Sequence, residues 1–165
     1  MQPRFAAVLI MLALALVPAV LAGGSAANDV SVSFHMETES TDNPKMIFPQ
    51  ETNGQTRYFR RVSEVGAKDV LSFSPFPADA GGEFGVVFRL KENAARRLAA
   101  VTSANQGRYL IAKLNGRVVD GVLIDKQVDD GLVVIWKGVT LADIAILDDG
   151  LPRIGQEGAK KKKKK

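Results

Sequence analysis

Between Gly85 and Pro152 the hydrophobic period runs strand, helix, three strands and helix, and this order restricts the chain to folds in which helices pack on a sheet. Gly85 to Leu90 is β-branched and aromatic, which suits a strand. From Lys91 to Ala104 the period changes. Ala94, Leu98, Val101 and Thr102 then share one helical face with Ala95 beside it, while Arg96 and Arg97 point elsewhere. Glu92 or Asn93 can satisfy free amides at the helix start, and Asn105-Gln106-Gly107 supplies a left-handed stop. Tyr109 to Leu114 and Val118 to Ile124 flank Asn115-Gly116, the dipeptide best suited to a type I′ hairpin turn. Asp129-Asp130-Gly131 makes the next turn, and Leu132 to Trp136 the last strand. Thr140 followed by Asp143 resembles a capping box, so a second helix starts there and ends at Asp149-Gly150-Leu151-Pro152. The expectation is an α+β fold, a mixed β-sheet with two short helices packed on it and β-α-β-β-β-α order in the C-terminal part. Leu98, Val101, Ile144 and Leu147 should be buried between helix and sheet.

The preceding residues add short strands. Val30, Val32, Phe34 and Met36 alternate with Ser31, Ser33, His35, Glu37 and Glu39, the pattern of a strand with one buried and one wet face. Turns at Thr41-Asp42-Asn43-Pro44 and Glu51-Thr52-Asn53-Gly54 separate it from strands expected at Lys45 to Phe48, Thr56 to Arg61 and Asp69 to Phe76. Ser74 to Gly82, rich in proline and glycine, reads as a connector. No composition break requires two domains, so one α+β domain is expected over residues 28–152.

The order and spacing of residues 85–152 resemble the head subdomain of the large periplasmic domain of SecD, a subunit of the bacterial Sec translocase. The strand and helix are matched by Phe88, Leu90, Ala95, Thr102 and Asn105. The strand and hairpin after them are matched by Gly107, Arg108, Leu110, Asn115 and Gly116, and the last strand and helix by Gly131, Gly138, Ala142, Ala145 and Leu147. The likeness lies in many weak signals rather than one diagnostic motif. It departs at Val119-Asp120-Gly121-Val122, where family members place small residues and proline. SecD couples export to the proton gradient through membrane helices, and this sequence shows no hydrophobic segment after residue 22. The resemblance therefore implies an extracytoplasmic recognition module without the membrane motor.

The N-terminus points to the same compartment. Met1 to Arg4 carries one positive charge, Phe5 to Ala22 carries none, and Val20-Leu21-Ala22 fits a signal-peptidase site. A signal peptide over residues 1–22, cleaved after Ala22, is expected. The alternative is an N-terminal anchor, since about 18 apolar residues can just span a bilayer. Pro18 and the Ala/Gly/Ser run that follows favour cleavage, and the protein is expected to be periplasmic or extracellular. With no cysteine it must fold without disulfides.

The charge is unevenly placed. Setting aside Arg4 and the six lysines Lys160, Lys161, Lys162, Lys163, Lys164 and Lys165, 15 basic and 18 acidic residues remain, a net of −3. Residues 153–165 are expected to be a disordered tail, because adjacent like charges repel. Its lysines can hold the protein weakly on an anionic membrane, wall polymer or extracellular nucleic acid, or serve only as a solvated end.

Few residues invite chemistry. His35, Glu37 and Glu39 are the best metal-like cluster, yet a solvated strand face explains them, and no metal or cofactor is expected. His35 is the only histidine, so any histidine-based hydrolase must use it. Gly81-Gly82-Glu83-Phe84-Gly85 precedes a strand, whereas phosphate loops follow one. Asp129-Asp130 and Asp148-Asp149 lack EF-hand spacing. Arg57, Arg60 and Arg61 interleave with Tyr58 and Phe59, but a strand splits that charge across two faces. Trp136 is read either as packing or as an exposed recognition edge. These observations favour a non-catalytic binding module for a protein or envelope component. Its partner-binding candidates are Arg96, Arg97 and Trp136; an envelope hydrolase using His35 and a polymer-tethered structural protein are the alternatives.

Overall fold

The computed structural model describes residues 30–79 and 81–158, so the expected signal peptide and the lysines of the tail lie outside the described residues. Among the described residues nine strands and two α-helices follow one another: β1 (Val32–Thr38), β2 (Ile47–Thr52), β3 (Gln55–Arg60), β4 (Val65–Gly66), β5 (Val70–Pro77), β6 (Phe84–Leu90), α1 (Glu92–Ala104), β7 (Tyr109–Leu114), β8 (Arg117–Leu123), β9 (Leu132–Val139) and α2 (Leu141–Gly150). The α+β class and the β-α-β-β-β-α order after Gly85 are as the residue periods dictate. Asn115 and Gly116 take φ of 50° and 82°, as the type I′ turn between β7 and β8 requires. Thr140 and Asp143 form the expected capping box at the start of α2.

The sheet arrangement differs from expectation. Instead of one mixed sheet there are two, one ordered β2-β3-β1-β7-β8 with β4 also paired to β1, the other β5-β6-β9. Every strand pair within them is antiparallel. The reason lies where β8 meets β9. A ladder there would complete a continuous sheet, but side chains take up the backbone groups instead. Asp120 Oδ2 accepts the Trp136 N–H at 2.7 Å, Arg117 donates to the Gly138 carbonyl at 2.9 Å, and Glu83 accepts the Gly138 N–H at 3.0 Å. Gly138 has φ of 80°, and a Cβ on it would stand 2.5 Å from the Val119 carbonyl oxygen. Only glycine permits so close an approach in that conformation.

One core joins both sheets and both helices. Phe34 of β1 meets Phe88 of β6 edge to face, 6.1 Å between ring centroids, and Phe73 of β5 packs beside Phe88 at 6.5 Å. Leu98, Ile144 and Leu147 are buried as expected, while Val101 is only partly covered. Outside the main core, Phe59 and Ile111 are buried with Phe48 on the β1 face that carries His35 and Glu37, whereas Ile47 is buried on the opposite face of the β2–β3 hairpin. This hairpin covers the β1 face expected to be wet.

Two further expectations are corrected. The strand after the first turn covers Ile47–Thr52 rather than Lys45 to Phe48, so the Asn53-Gly54 turn closes a full hairpin register with β3. Residues 153–158 belong to the folded body. The Phe73 N–H bonds to the Pro152 carbonyl and the Ile154 N–H to that of Phe73, adding this segment to the outer edge of β5. Arg153 grips Asp148 through two hydrogen bonds and stacks 4.7 Å from the Phe73 ring centroid, and Glu157 accepts from Ser72.

Candidate functional site

The substitution of side chains for a ladder ends at Trp136. Beyond it the two strands part, and a cleft of about 280 Å³ opens between Val122 and Leu123 of β8 and Leu132, Val133 and Val134 of β9. Phe34, Leu98 and Leu110 form its floor, so it reaches the main core. Thr102 on α1 pins its far wall. The hydroxyl donates to the Leu98 carbonyl at 2.8 Å and accepts the Val128 N–H at 2.9 Å, which fixes the 125–130 loop over the helix. Two large exposed side chains, Leu123 and Trp136, stand at the rim, and Trp136 is 57 % accessible against the edge of Phe76.

Backbone groups are also on offer. The Leu90 N–H bonds to the Gly131 carbonyl, so odd-numbered residues of β9 face β6 and even-numbered ones face β8. The N–H and C=O of Val134 therefore point into the cleft. By the same alternation the Ile124 N–H, bonded to the Arg108 carbonyl, leaves the backbone of Leu123 turned towards β9. An apolar slot flanked by two unpaired strand edges can hold an extended chain by main-chain bonds and by burial of its side chains.

Sequence reasoning singled out one rim residue, Trp136, and missed the slot. Its signals were present: Asp120 in an apolar strand and Gly138 in another mark a junction where a ladder fails. The arginine pair does not act as one face. Arg96 bonds to Glu92 and Asn93 and lines an open groove that adjoins the cleft at Asp130 and Leu132. Arg97 turns the other way and holds the β4–β5 connection through the Glu64 carbonyl and Asp69.

His35 is not on a wet face; it is buried beneath Phe48, 5.5 Å between ring centroids. Nδ1 lies 2.8 Å from the Arg60 carbonyl, which can only accept, so Nδ1 carries the proton and Nε2 accepts from the Ser33 hydroxyl at 2.9 Å. The Ser–His pair resembles half of a nucleophilic relay, but neither residue lines the cleft, and Phe48 covers the ring. Glu37 is taken by Arg57 and the Tyr109 N–H, and Glu39 by Arg108. Among the described residues no three His, Cys, Asp or Glu side chains converge for a metal. Arg57 stacks on Tyr109, Phe59 is buried and Arg60 faces Glu64, so three members of that basic–aromatic cluster are engaged within the fold, while Arg61 stays exposed.

Burial pushes the His35 pKa below its ordinary 6.5, against the opposing hydrogen bond to Arg60. The unfolded chain then takes up a proton first. The stabilising effect of neutral His35 is full above about pH 6.5 and is lost as pH falls from there through the lowered folded value. Because no other histidine titrates in that window, wild-type protein should lose stability between pH 7.5 and 5.5, by at most about 1.4 kcal/mol per pH unit. A His35→Gln variant should show a flat profile there in urea melts. Equal slopes for the two proteins would mean that His35 is protonated equally in both states.

No protein family matches the sequence, and no curated protein is similar to it in sequence. Solved structures are similar in fold. One, described as "Structure and function of a membrane component SecDF that enhances protein export", superposes with a TM-score of 0.52 at 18% identity, over 76% of this chain and 64% of that one. A second, "Crystal structure of SecDF in Super-membrane-facing form", gives 0.50 at 17% identity, over 74% of this chain and 19% of that one. The chain resembles a SecD periplasmic subdomain in fold. The likeness extends beyond residues 85–152 into the first half of the domain, since it covers about three-quarters of the chain. The chain in turn spans less than two-thirds of either SecDF chain. Among the described residues no helix is long and apolar enough to cross a membrane.

Proposed function

We propose that this protein is an exported, non-catalytic binding module that receives an extended apolar stretch of polypeptide in the cleft between β8 and β9. The observation that carries the reading is the coincidence of an apolar slot with the free backbone edges of Leu123 and Val134. Small-molecule pockets rarely need two strand edges, whereas peptide recognition by strand addition uses them directly. Likeness to a membrane component that enhances protein export supports a polypeptide ligand and a site outside the cytoplasm. The charge-free segment over residues 5–22 supports export independently.

Trp136 is the only tryptophan, so its emission reports on the rim directly. Titration with an unstructured apolar peptide should shift the emission to the blue and saturate, and the peptide should emerge uncleaved. Val134→Lys places a charge in the slot at a half-buried position. It should weaken binding at least about tenfold, a loss of about 1.4 kcal/mol, while far-UV dichroism stays unchanged. Unchanged affinity in that variant would place the ligand elsewhere, and cleavage of the peptide would contradict a purely binding role.

A further inference from the structure

The mouth of the cleft is charged unequally. Asp125, Asp130 and Lys126 line it, and Asp129 lines the groove that shares Asp130 and Leu132 with it. The side chains of Asp125 and Asp129 have no hydrogen-bond or ion-pair partner among the described residues, and Asp130 accepts only the Leu132 N–H. The cations of the adjoining groove are already engaged, Arg89 with Glu157 and Arg96 with Glu92. Two carboxylates of the cleft, Asp125 and Asp130, and Asp129 in the groove beside it are therefore balanced by one ammonium of the cleft lining, that of Lys126.

We propose that these carboxylates select the ligand: the cleft takes polypeptide segments in which an apolar stretch directly adjoins lysine or arginine. This rests on the reading of the cleft as a polypeptide site and names the class of segment it prefers. An apolar stretch leaves water inside the slot, while a basic residue beside it stays at the mouth and keeps its own hydration. There it gains from the uncompensated carboxylates without a large desolvation cost, and an acidic neighbour is repelled. Because the rim is exposed, each pair contributes little and is screened by salt, so the preference is moderate and sensitive to ionic strength.

The test uses one apolar peptide carrying Lys-Lys, Ser-Ser or Glu-Glu beside the apolar stretch. Each is titrated against the full chain and against an Asp125→Asn, Asp129→Asn, Asp130→Asn variant while Trp136 emission is followed. Asparagine keeps the acceptor that caps Leu132, so the turn is retained, and both proteins carry the same lysine tail. At low salt the Lys-Lys peptide should bind the wild-type protein about three- to tenfold more tightly than the Ser-Ser peptide. That ratio should approach one in the variant and at about 0.5 M salt. Equal affinity of the two peptides for wild type overturns the selection and leaves the cleft reading standing. A preference that survives in the variant overturns the assignment to these carboxylates, and failure of all three peptides to bind overturns both proposals.

Discussion

Leu98→Ala should destabilise the domain by about 2–5 kcal/mol, read as a lower urea midpoint at unchanged slope. Leu98 is 1 % exposed on the inner face of α1, among core residues drawn from both sheets. Truncation removes the transfer energy of the lost isopropyl group and leaves a void whose walls cannot close. Phe34 is held in β1 between β4 and β7, and Leu110 is held between β1 and β8, so neither can shift without breaking ladder bonds. Because Leu98 also floors the cleft, the void joins a space that already exists. The variant should therefore alter the Trp136 emission of the ligand-bound protein as well as its stability. Val101, only partly buried, is the control, and its alanine variant should cost less than about 1.5 kcal/mol. A cost below about 0.5 kcal/mol at Leu98 would mean that another face of α1 carries the packing.

The helix face, the hairpin turn and the second cap were legible because each depends on neighbours a few residues away. Ala94, Leu98 and Thr102 repeat at helical spacing, Asn115-Gly116 supplies two residues that tolerate positive φ, and Thr140 reaches Asp143 within one turn. The cleft depends instead on contacts between distant segments. That β8 and β9 fail to pair follows from Asp120 meeting Trp136 and from Gly138 meeting Val119, and no local period encodes either contact. The burial of His35 is not legible in the sequence for the same reason. Alternation along β1 gives the two faces correctly, but what covers the outer one is set by a hairpin that returns through Phe48 and Phe59. Residues 153–157 carry an arginine and a glutamate around a single glycine with no period of their own, and only their partners Asp148 and Ser72 show them to be anchored.

Asp143→Ala should cost about 2–4 kcal/mol, combining a lost helix cap with lost hydrogen bonds to a charged acceptor. This carboxylate is buried at the start of α2 and gathers three separate parts of the fold. It accepts from the backbone and hydroxyl of Thr140, from Asn115 Nδ2 in the β7–β8 turn at 2.9 Å, and from Arg117, which also holds the Gly138 carbonyl. Alanine frees all of these donors at once and loosens the junction that spaces β8 from β9. Asp143→Asn would not preserve the site, because the new amide nitrogen would face a donor on one side. Thr140→Ala, which removes only part of the cap, should cost about 1 kcal/mol. Burial pushes the Asp143 carboxyl up, but the bonds from Thr140, Asn115 and Arg117 outweigh it and hold the pKa below the ordinary 3.8. The stabilisation is therefore complete above about pH 3.8 and is lost as pH falls through the lower folded value. The stability gap between wild type and Asp143→Ala, measured by urea melts, should be widest near neutral pH and shrink below pH 3.8. A gap that stays constant into that range would mean that shape rather than charge makes Asp143 necessary.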